Sequence, residues 1–272
     1  MYRAEGADKK SVQRFLSVDP LAEDYYYNSP YAFSENKVVA HIELEGLESY
    51  YAADGNLLGQ VGTSTDVRVV NSTMTSTQAT THIQSGSAES TQALTDNSTA
   101  FANYFSTVND VTNDAALQTY TNNGNNCFAA AEAQLTDAGV SQTGPNNAIN
   151  TLVANNSTLT ADPYGGAIKI QTELNAGNPV MVGVKETKND GTVPNPGNTN
   201  SLTGHFVVIR SSNVAADGTV TFNYLDNAST ALGKNANNNM TVNTTSGTII
   251  DNTVPARSNY QEYQVTEVRK NQ

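Results

Sequence analysis

The chain is poor in the residues that several common functions require. It has one cysteine, no tryptophan, and 14 lysines and arginines against 26 aspartates and glutamates, which gives a formal net charge of −12 over 272 residues. A single cysteine excludes an internal disulfide bond. Because phosphate binding requires clustered cations, so few positive charges argue against a nucleic-acid-binding surface and disfavour a nuclease.

Membrane, signal and metal-binding patterns are also missing from the sequence. No apolar run approaches membrane-spanning length, so we expect no membrane span. Residues 1–13 are charged and lack an apolar stretch, so we expect no secretory signal and delivery by a separate export system if the protein acts outside its cell. One cysteine and three dispersed histidines form no ligand cluster, and no glycine-rich phosphate loop occurs, so we expect neither a metal nor another cofactor.

Residues 1–50 carry the most distinctive motifs of the chain. The run RFLSVDPL at 14–21 is followed by SPYAFSEN at 29–36, by a short apolar stretch, and by ELEGL at 43–47. This ordered set resembles the C-terminal end of the RHS-repeat-associated core domain. The resemblance implies that residues 1–48 are a short β-rich remnant of an RHS core, and that a variable toxin domain follows it.

The RHS resemblance has further implications. The family often releases its toxin by self-cleavage near an Asp-Pro-x-Gly-Leu motif, but Glu43 and Leu44 replace the first two residues here, whereas Gly46 and Leu47 match. We therefore expect no autocleavage at this motif. A toxin of this kind also implies a cognate immunity protein, an RHS shell if the chain belongs to a longer protein, and secretion or delivery into a competing bacterium.

The segment after the RHS motifs predicts a hairpin and then a linker. An Asp54-Gly55 turn separates two short apolar runs, and a further strand follows at 67–70. Residues 71–98 are rich in Ser, Thr and Gln, which is typical of a polar linker or a solvated surface. Aromatic residues at helical spacing predict a helix at about 99–120. The predicted divisions of the chain are an RHS core end at 1–48, a hairpin and polar linker at 49–98, and a toxin domain at 99–272.

Cys127 lies at the predicted start of a helix. Asn125 or Asn126 can cap it, the following residues are rich in alanine, and Gly139 is a natural stop. The partial positive charge of a helix N-terminus favours the thiolate, which is the nucleophilic form of cysteine. The alternative interpretation is a buried structural cysteine.

His205 and Asp226 lie at the ends of two predicted strands. His205 begins an apolar run, and Asp226 follows the strand that returns after a turn at Asp217-Gly218. The start of one strand of a hairpin lies beside the end of the next, so these two side chains can be neighbours. A thiol nucleophile needs a base for its proton and a carboxylate to orient the imidazole. Cys127, His205 and Asp226 therefore form a candidate site, although each alone has an ordinary structural explanation.

The order of these motifs resembles that of the papain-like cysteine peptidases, especially compact members such as the C39-type bacteriocin-processing peptidases. The resemblance covers about residues 100–230. It implies an α+β fold in which the helix bearing the cysteine packs on an antiparallel sheet. It also implies that Cys127 is the nucleophile, that His205 is the general base and acid, and that Asp226, or Asn227 in its place, orients the imidazole.

The donor to the oxyanion departs from the pattern of the family. That family places a glutamine shortly before the cysteine, but Thr121 stands at the position here. Asn122, Asn123 or the backbone amide of Cys127 can donate instead, and we favour Asn122. Gln118 lies further upstream and would need a different turn.

The two resemblances together imply an antibacterial effector that acts as a cysteine hydrolase on a protein or peptidoglycan amide. A thiol-dependent deamidase or a transglutaminase-like enzyme is an alternative that uses the same sulfur. A non-enzymatic adhesive or carrier module with a buried Cys127 is another. The strongly acidic composition would suit a partner with a basic face.

Overall fold

The computed structural model describes residues 47–112, 117–142, 147–155, 157–193, 202–228, 238–254 and 259–272. Contacts divide the chain after Leu47, and Glu48–Gln272 forms one unit that contains every element described below. Apart from Leu47, the residues of the RHS motifs, including Glu43 and Leu44, lie outside the described residues. The RHS resemblance and the absence of autocleavage therefore stay predictions.

A four-stranded sheet begins the unit. Its strands are β1 (Glu48–Tyr51), β2 (Leu57–Val61), β3 (Val67–Val70) and β4 (Ser98–Ala100), in the order β2-β1-β3-β4. The predicted hairpin is confirmed, because β1 and β2 pair antiparallel. Gly55 in its turn has φ 83°, and a Cβ there would lie 2.3 Å from the carbonyl oxygen of Gly165. Only glycine combines this conformation with so close a backbone approach.

The prediction of a polar linker at 71–98 is wrong. The segment forms two helices, α1 (Ser76–Ser85) and α2 (Ala88–Asp96), which pack on the small sheet through Ala79 and Leu94. Thr75 and Gln78 form a capping box at the start of α1, and Ser87 caps α2. The serines and threonines that resemble linker residues therefore include the helix caps, and one buried apolar side chain anchors each helix.

The prediction of a helix at 99–120 is also wrong in the part of this range that the structure describes. Strand β4 passes into a single 3-10 turn at Phe101–Asn103, and Val108 then bridges to Ser212. Phe101 and Phe105 have helical spacing, but their rings pack edge to face, with centroids 5.0 Å apart, in the core. Tertiary packing, rather than a helical backbone, explains this spacing.

A closed antiparallel barrel forms the rest of the unit. Strand β5 is Ala148–Asn150, and the barrel strands are β6 (Val180–Lys188), β7 (His205–Val214), β8 (Val220–Leu225), β9 (Asn239–Val242), β10 (Ile249–Asp251) and β11 (Tyr260–Arg269). The order is β10-β9-β8-β7-β6-β11, and β10 also pairs with β11, which closes the ring. Strand β5 pairs with residues 267–269 of β11, on the same edge that β10 meets at Tyr263 and Gln264. Closure satisfies the edges that an open sheet would leave unpaired.

Two helices cover opposite faces of the central strands. Helix α3 (Cys127–Asp137) packs through Ala131 and Leu135 on Met181 and Val208. The alternate residues of β6 and β7 belong to the main core, together with the apolar side of α4 (Pro163–Asn175). Burial on both faces explains the apolar runs at 180–184 in β6 and 206–209 in β7. Their assignment to the papain-like fold stays a prediction. Among the described residues, no helix is both long and apolar enough to cross a membrane.

Replacing Leu94 by alanine tests whether 71–98 is folded. Leu94 is fully buried, so we expect Leu94→Ala to lower the free energy of unfolding by about 3 kcal/mol. Leu57→Ala is the matched control because Leu57 is 49% exposed, and we expect a change within about 0.5 kcal/mol. Denaturant titration measures both. Equal, small effects of the two substitutions would show that α2 does not pack on the sheet.

Candidate active site

Cys127 is the first residue of α3, as the sequence predicted. Asn126 is the N-cap, and its side-chain oxygen accepts hydrogen bonds from the amides of Phe128 at 3.0 Å and Ala129 at 3.2 Å. Asn125, the other candidate cap, has φ 58° and lies in the turn before the helix. Cys127 is only partly buried. The sulfur therefore lies at the positive end of a helix, on a residue that is only partly buried.

His205 and Asp226 are neighbours. The imidazole Nε2 lies 2.9 Å from Asp226 Oδ1, and both side chains are buried. Two other groups hold the carboxylate: the amide of Ala228 donates to Oδ1 at 2.9 Å, and the hydroxyl of Tyr263 donates to Oδ2 at 3.1 Å. The Tyr263 ring also lies 5.9 Å from the imidazole, centroid to centroid. Asp226 thus holds the imidazole in one orientation.

The thiol of Cys127 completes the chain of contacts. The thiol lies close enough to the His205 side chain for hydrogen bonding and charge to shift the pKa of both groups. Because Nε2 faces Asp226, Nδ1 is the ring nitrogen left to interact with the sulfur. The structure therefore brings together Cys127, His205 and Asp226, the three residues that the sequence predicted as one site.

The pKa values of Cys127 and His205 are shifted in opposite directions. Burial would raise the pKa of the Cys127 thiol, but the hydrogen bond and charge of His205, with the amides of Phe206 and Phe128, lower it below its ordinary value. Burial would likewise lower the pKa of His205, but the charge and hydrogen bond of Asp226, with the contact to Cys127, raise it to about 9. Each shift favours a thiolate–imidazolium pair at neutral pH.

Asn227, the alternative candidate for orienting the imidazole, makes other contacts. Its side-chain Nδ2 donates to the backbone carbonyl of Cys127 at 2.9 Å and to that of Phe206 at 2.8 Å. Its own carbonyl accepts from the amide of Tyr120 at 2.8 Å. Asn227 therefore ties the start of α3 to the start of β7, whereas Asp226 contacts the imidazole. In the sequence, Asp226-Asn227 resembles an ordinary turn, so this role had no local signal.

Asn122 is not brought into this set of contacts. It lies in the 3-10 turn Thr121–Asn123 with its side chain exposed, and among the described residues no hydrogen bond joins that side chain to Cys127 or His205. The amides of the two other candidates are engaged elsewhere: Gln118 Nε2 donates to Asp137, and Asn123 Nδ2 donates to the carbonyl of Thr119. Asn122 therefore stays the predicted side-chain donor to the oxyanion.

The backbone amide of Cys127 is a second candidate donor. It belongs to the first residue of α3, where an amide has no carbonyl within the helix to accept its hydrogen bond. The described residues provide no other acceptor for it. This amide is therefore free to donate to an oxygen that develops charge beside Sγ.

Comparisons of the chain with protein-family models, curated proteins and solved structures gave no match. The described residues also contain no group of three or more His, Cys, Asp and Glu side chains that could hold a metal ion. The chemistry of the site is therefore inferred from its own residues.

Removing the charge of Asp226 should return both pKa values toward ordinary ones. In Asp226→Asn the imidazolium loses its counter-charge, so His205 is deprotonated nearer neutral pH and Cys127 ionises only at higher pH. We expect alkylation of Cys127 by iodoacetamide at pH 6 to slow about tenfold or more. Cys127 is the only cysteine in the chain, so intact-mass analysis reads the modification directly.

Asp251→Asn is the matched control for that substitution. Asp251 is a buried aspartate that accepts a hydrogen bond from Tyr224, at 2.7 Å. Loss of the Asp251 charge should change the stability of the fold but leave the pH dependence of Cys127 alkylation as in the wild type. If Asp226→Asn alkylates at the wild-type rate at pH 6, Asp226 does not set the ionisation of the pair.

Proposed function

We propose that the domain is a cysteine hydrolase that acts by thiol acyl transfer on an amide. The observation that supports this most strongly is the contact chain from the Cys127 thiol through His205 to Asp226. A structural cysteine needs no base beside it, and burying a histidine against an aspartate carries a desolvation cost that packing alone does not explain. Opposed pKa shifts at a partly buried cysteine and its neighbouring histidine are typical of a catalytic pair.

The first half of the reaction forms an acyl-enzyme. The thiolate of Cys127 attacks the carbonyl carbon, and the carbonyl electron pair moves to oxygen, where the amide of Cys127 and Asn122 donate hydrogen bonds. The oxyanion then collapses and the C–N bond breaks. His205 gives its Nδ1 proton to the departing amine, which leaves a neutral imidazole beside a thioester.

The second half restores the enzyme. Neutral His205 takes a proton from a water molecule as its oxygen attacks the thioester carbonyl. The C–S bond breaks, the sulfur leaves as thiolate, and the acid product departs. His205 keeps the proton, so the thiolate–imidazolium pair is regenerated. Throughout the cycle, Asp226 holds the imidazole and stabilises its charged form.

The biological role in this proposal comes from the resemblances at the sequence level. RHS-like motifs before a papain-like order of residues favour a delivered antibacterial toxin with a cognate immunity protein. Its substrate would be a protein or a peptidoglycan amide. The same acyl-enzyme formed on a glutamine side chain would give deamidation with water and cross-linking with an amine, so the product distinguishes these reactions.

Expression in bacteria tests the proposed function. We expect the chain to stop growth when it is directed to the cytoplasm or to the periplasm, and Cys127→Ala to abolish this effect because the acyl-enzyme cannot form. Thr77→Ala, at an exposed position of α1, is the control and should remain toxic. The compartment in which growth stops separates a cytoplasmic protein target from the cell wall.

Mass analysis of the target distinguishes the reactions. Cleavage supports hydrolysis, the small mass gain of deamidation supports glutamine as the substrate, and an adduct supports transfer. Equal killing by the wild type and Cys127→Ala would contradict thiol catalysis. If neither kills, the antibacterial role fails in that host, and the ionisation of Cys127 still decides whether the thiol is activated.

The pH dependence of the reaction follows from the two shifted pKa values. With the target identified, we expect kcat/KM to rise with pH as the thiolate forms, at a lower pH than an ordinary thiol would need because the pKa of Cys127 is lowered. It should fall through about pH 9, because the imidazolium that protonates the leaving amine is lost there. Initial rates across this range measure the profile. An alkaline limb near the ordinary pKa of histidine would contradict the raised value.

A further inference from the structure

The residues that directly follow Cys127 and His205 are both phenylalanines, and they pack on each other. The rings of Phe128 and Phe206 meet edge to face with centroids 5.1 Å apart. The guanidinium carbon of Arg269 lies 5.6 Å from the first centroid and 5.5 Å from the second. Since a guanidinium is attracted to aromatic rings, Arg269 connects the end of β11 to the starts of α3 and β7.

Arg269 is held in one orientation. Its Nε donates to Glu267 Oε1 at 2.9 Å, and its Nη2 lies 2.7 Å from the same oxygen. Both side chains are buried. Gly183 of β6 pairs with Phe206 on one side and with Glu267 on the other, and a Cβ there would lie 2.7 Å from Glu267 Cγ. The bare backbone of Gly183 therefore leaves the space that Glu267 occupies.

Burying this arginine carries a cost. Its Nη1 atom is buried and has no hydrogen-bond partner among the described residues. An apolar side chain could fill such a site without leaving a donor unsatisfied. A buried arginine with an unsatisfied donor calls for a functional explanation. The two rings that Arg269 contacts belong to the residues that directly follow Cys127 and His205.

We propose that Arg269 is a positioning residue for the reactive pair. Held by Glu267, its guanidinium keeps the Phe128 ring against the Phe206 ring and so fixes the start of α3 relative to the start of β7. Cys127 and His205 are the preceding residues, so their separation follows. Because hydrogen bonds weaken steeply with distance and misalignment, a loosened helix start would weaken the bond from sulfur to imidazole. This inference rests on the site of the proposed function but not on its substrate.

Alkylation of Cys127 in the full chain tests the inference without any substrate. We expect Arg269→Gln to slow modification by iodoacetamide about tenfold at pH 6, while the rate at pH 10, where the thiol is ionised in any case, stays near that of the wild type. Arg269→Lys keeps the cation but loses the planar fork, so it should restore part of the rate at pH 6. Unfolding would also return the thiol to an ordinary pKa and slow the reaction at pH 6, so only variants shown by circular dichroism to be folded are compared.

A control and a second variant complete the experiment. Arg68→Gln removes a part-buried arginine that donates to Ser98 at 2.8 Å in the small sheet, and it should leave the pH dependence unchanged. If circular dichroism shows that Arg269→Gln is unfolded, the same alkylation test is made on Phe206→Leu. That substitution removes one of the two rings that the guanidinium covers.

The outcomes separate this inference from the proposed function. The positioning role alone would be overturned if folded Arg269→Gln shows the wild-type pH dependence of alkylation. If Arg269→Gln is unfolded, the same result in Phe206→Leu would overturn it. An ordinary thiol pKa in the wild type would overturn the proposed function.

Discussion

The buried contact between His205 and Asp226 is the interaction on which the rest of the site depends. Burial alone would strip the imidazole of its proton, so the charge of Asp226 is what keeps it cationic near neutral pH. That cation in turn favours the thiolate of Cys127. The barrel makes the contact possible, because β7 begins where β8 ends and β11 supplies the Tyr263 hydroxyl to the far oxygen of Asp226.

A second constraint is the placement of the helix that carries Cys127. Helix α3 packs outside the barrel, so its first residue must be tied to the strand that carries the histidine. Asn227 does this through two backbone carbonyls, one on each element. In our proposal the Arg269 guanidinium does so through two aromatic side chains. One short segment, Asp226-Asn227, thus serves both members of the reactive pair.

Local signals predicted much of this arrangement. The cap at Asn126, the helix that it begins and the apolar strands around His205 all follow from residue type and spacing, and the pairing of His205 with Asp226 follows from hairpin geometry. The failures have two physical causes. At 71–98 the serines and threonines that cap two helices have the composition of a linker. At 99–120 two phenylalanines that pack together in the core are spaced as they would be on a helix. The bond from Asn227 to Cys127 and the packing of Arg269 on two phenylalanine rings gave no signal, because these partners lie far away in sequence; Asn227 and Cys127 are 100 residues apart.

The most direct test of the account is the titration of His205 itself. The chain has only three histidines, so carbon-labelled histidine gives few NMR resonances, and the His205→Asn variant identifies the one that belongs to His205. We expect this resonance to report an imidazolium at neutral pH and to titrate near pH 9 in the wild-type protein. A resonance that titrates near 6.5, the ordinary value for histidine, or a ring that is neutral throughout, would contradict the thiolate–imidazolium pair.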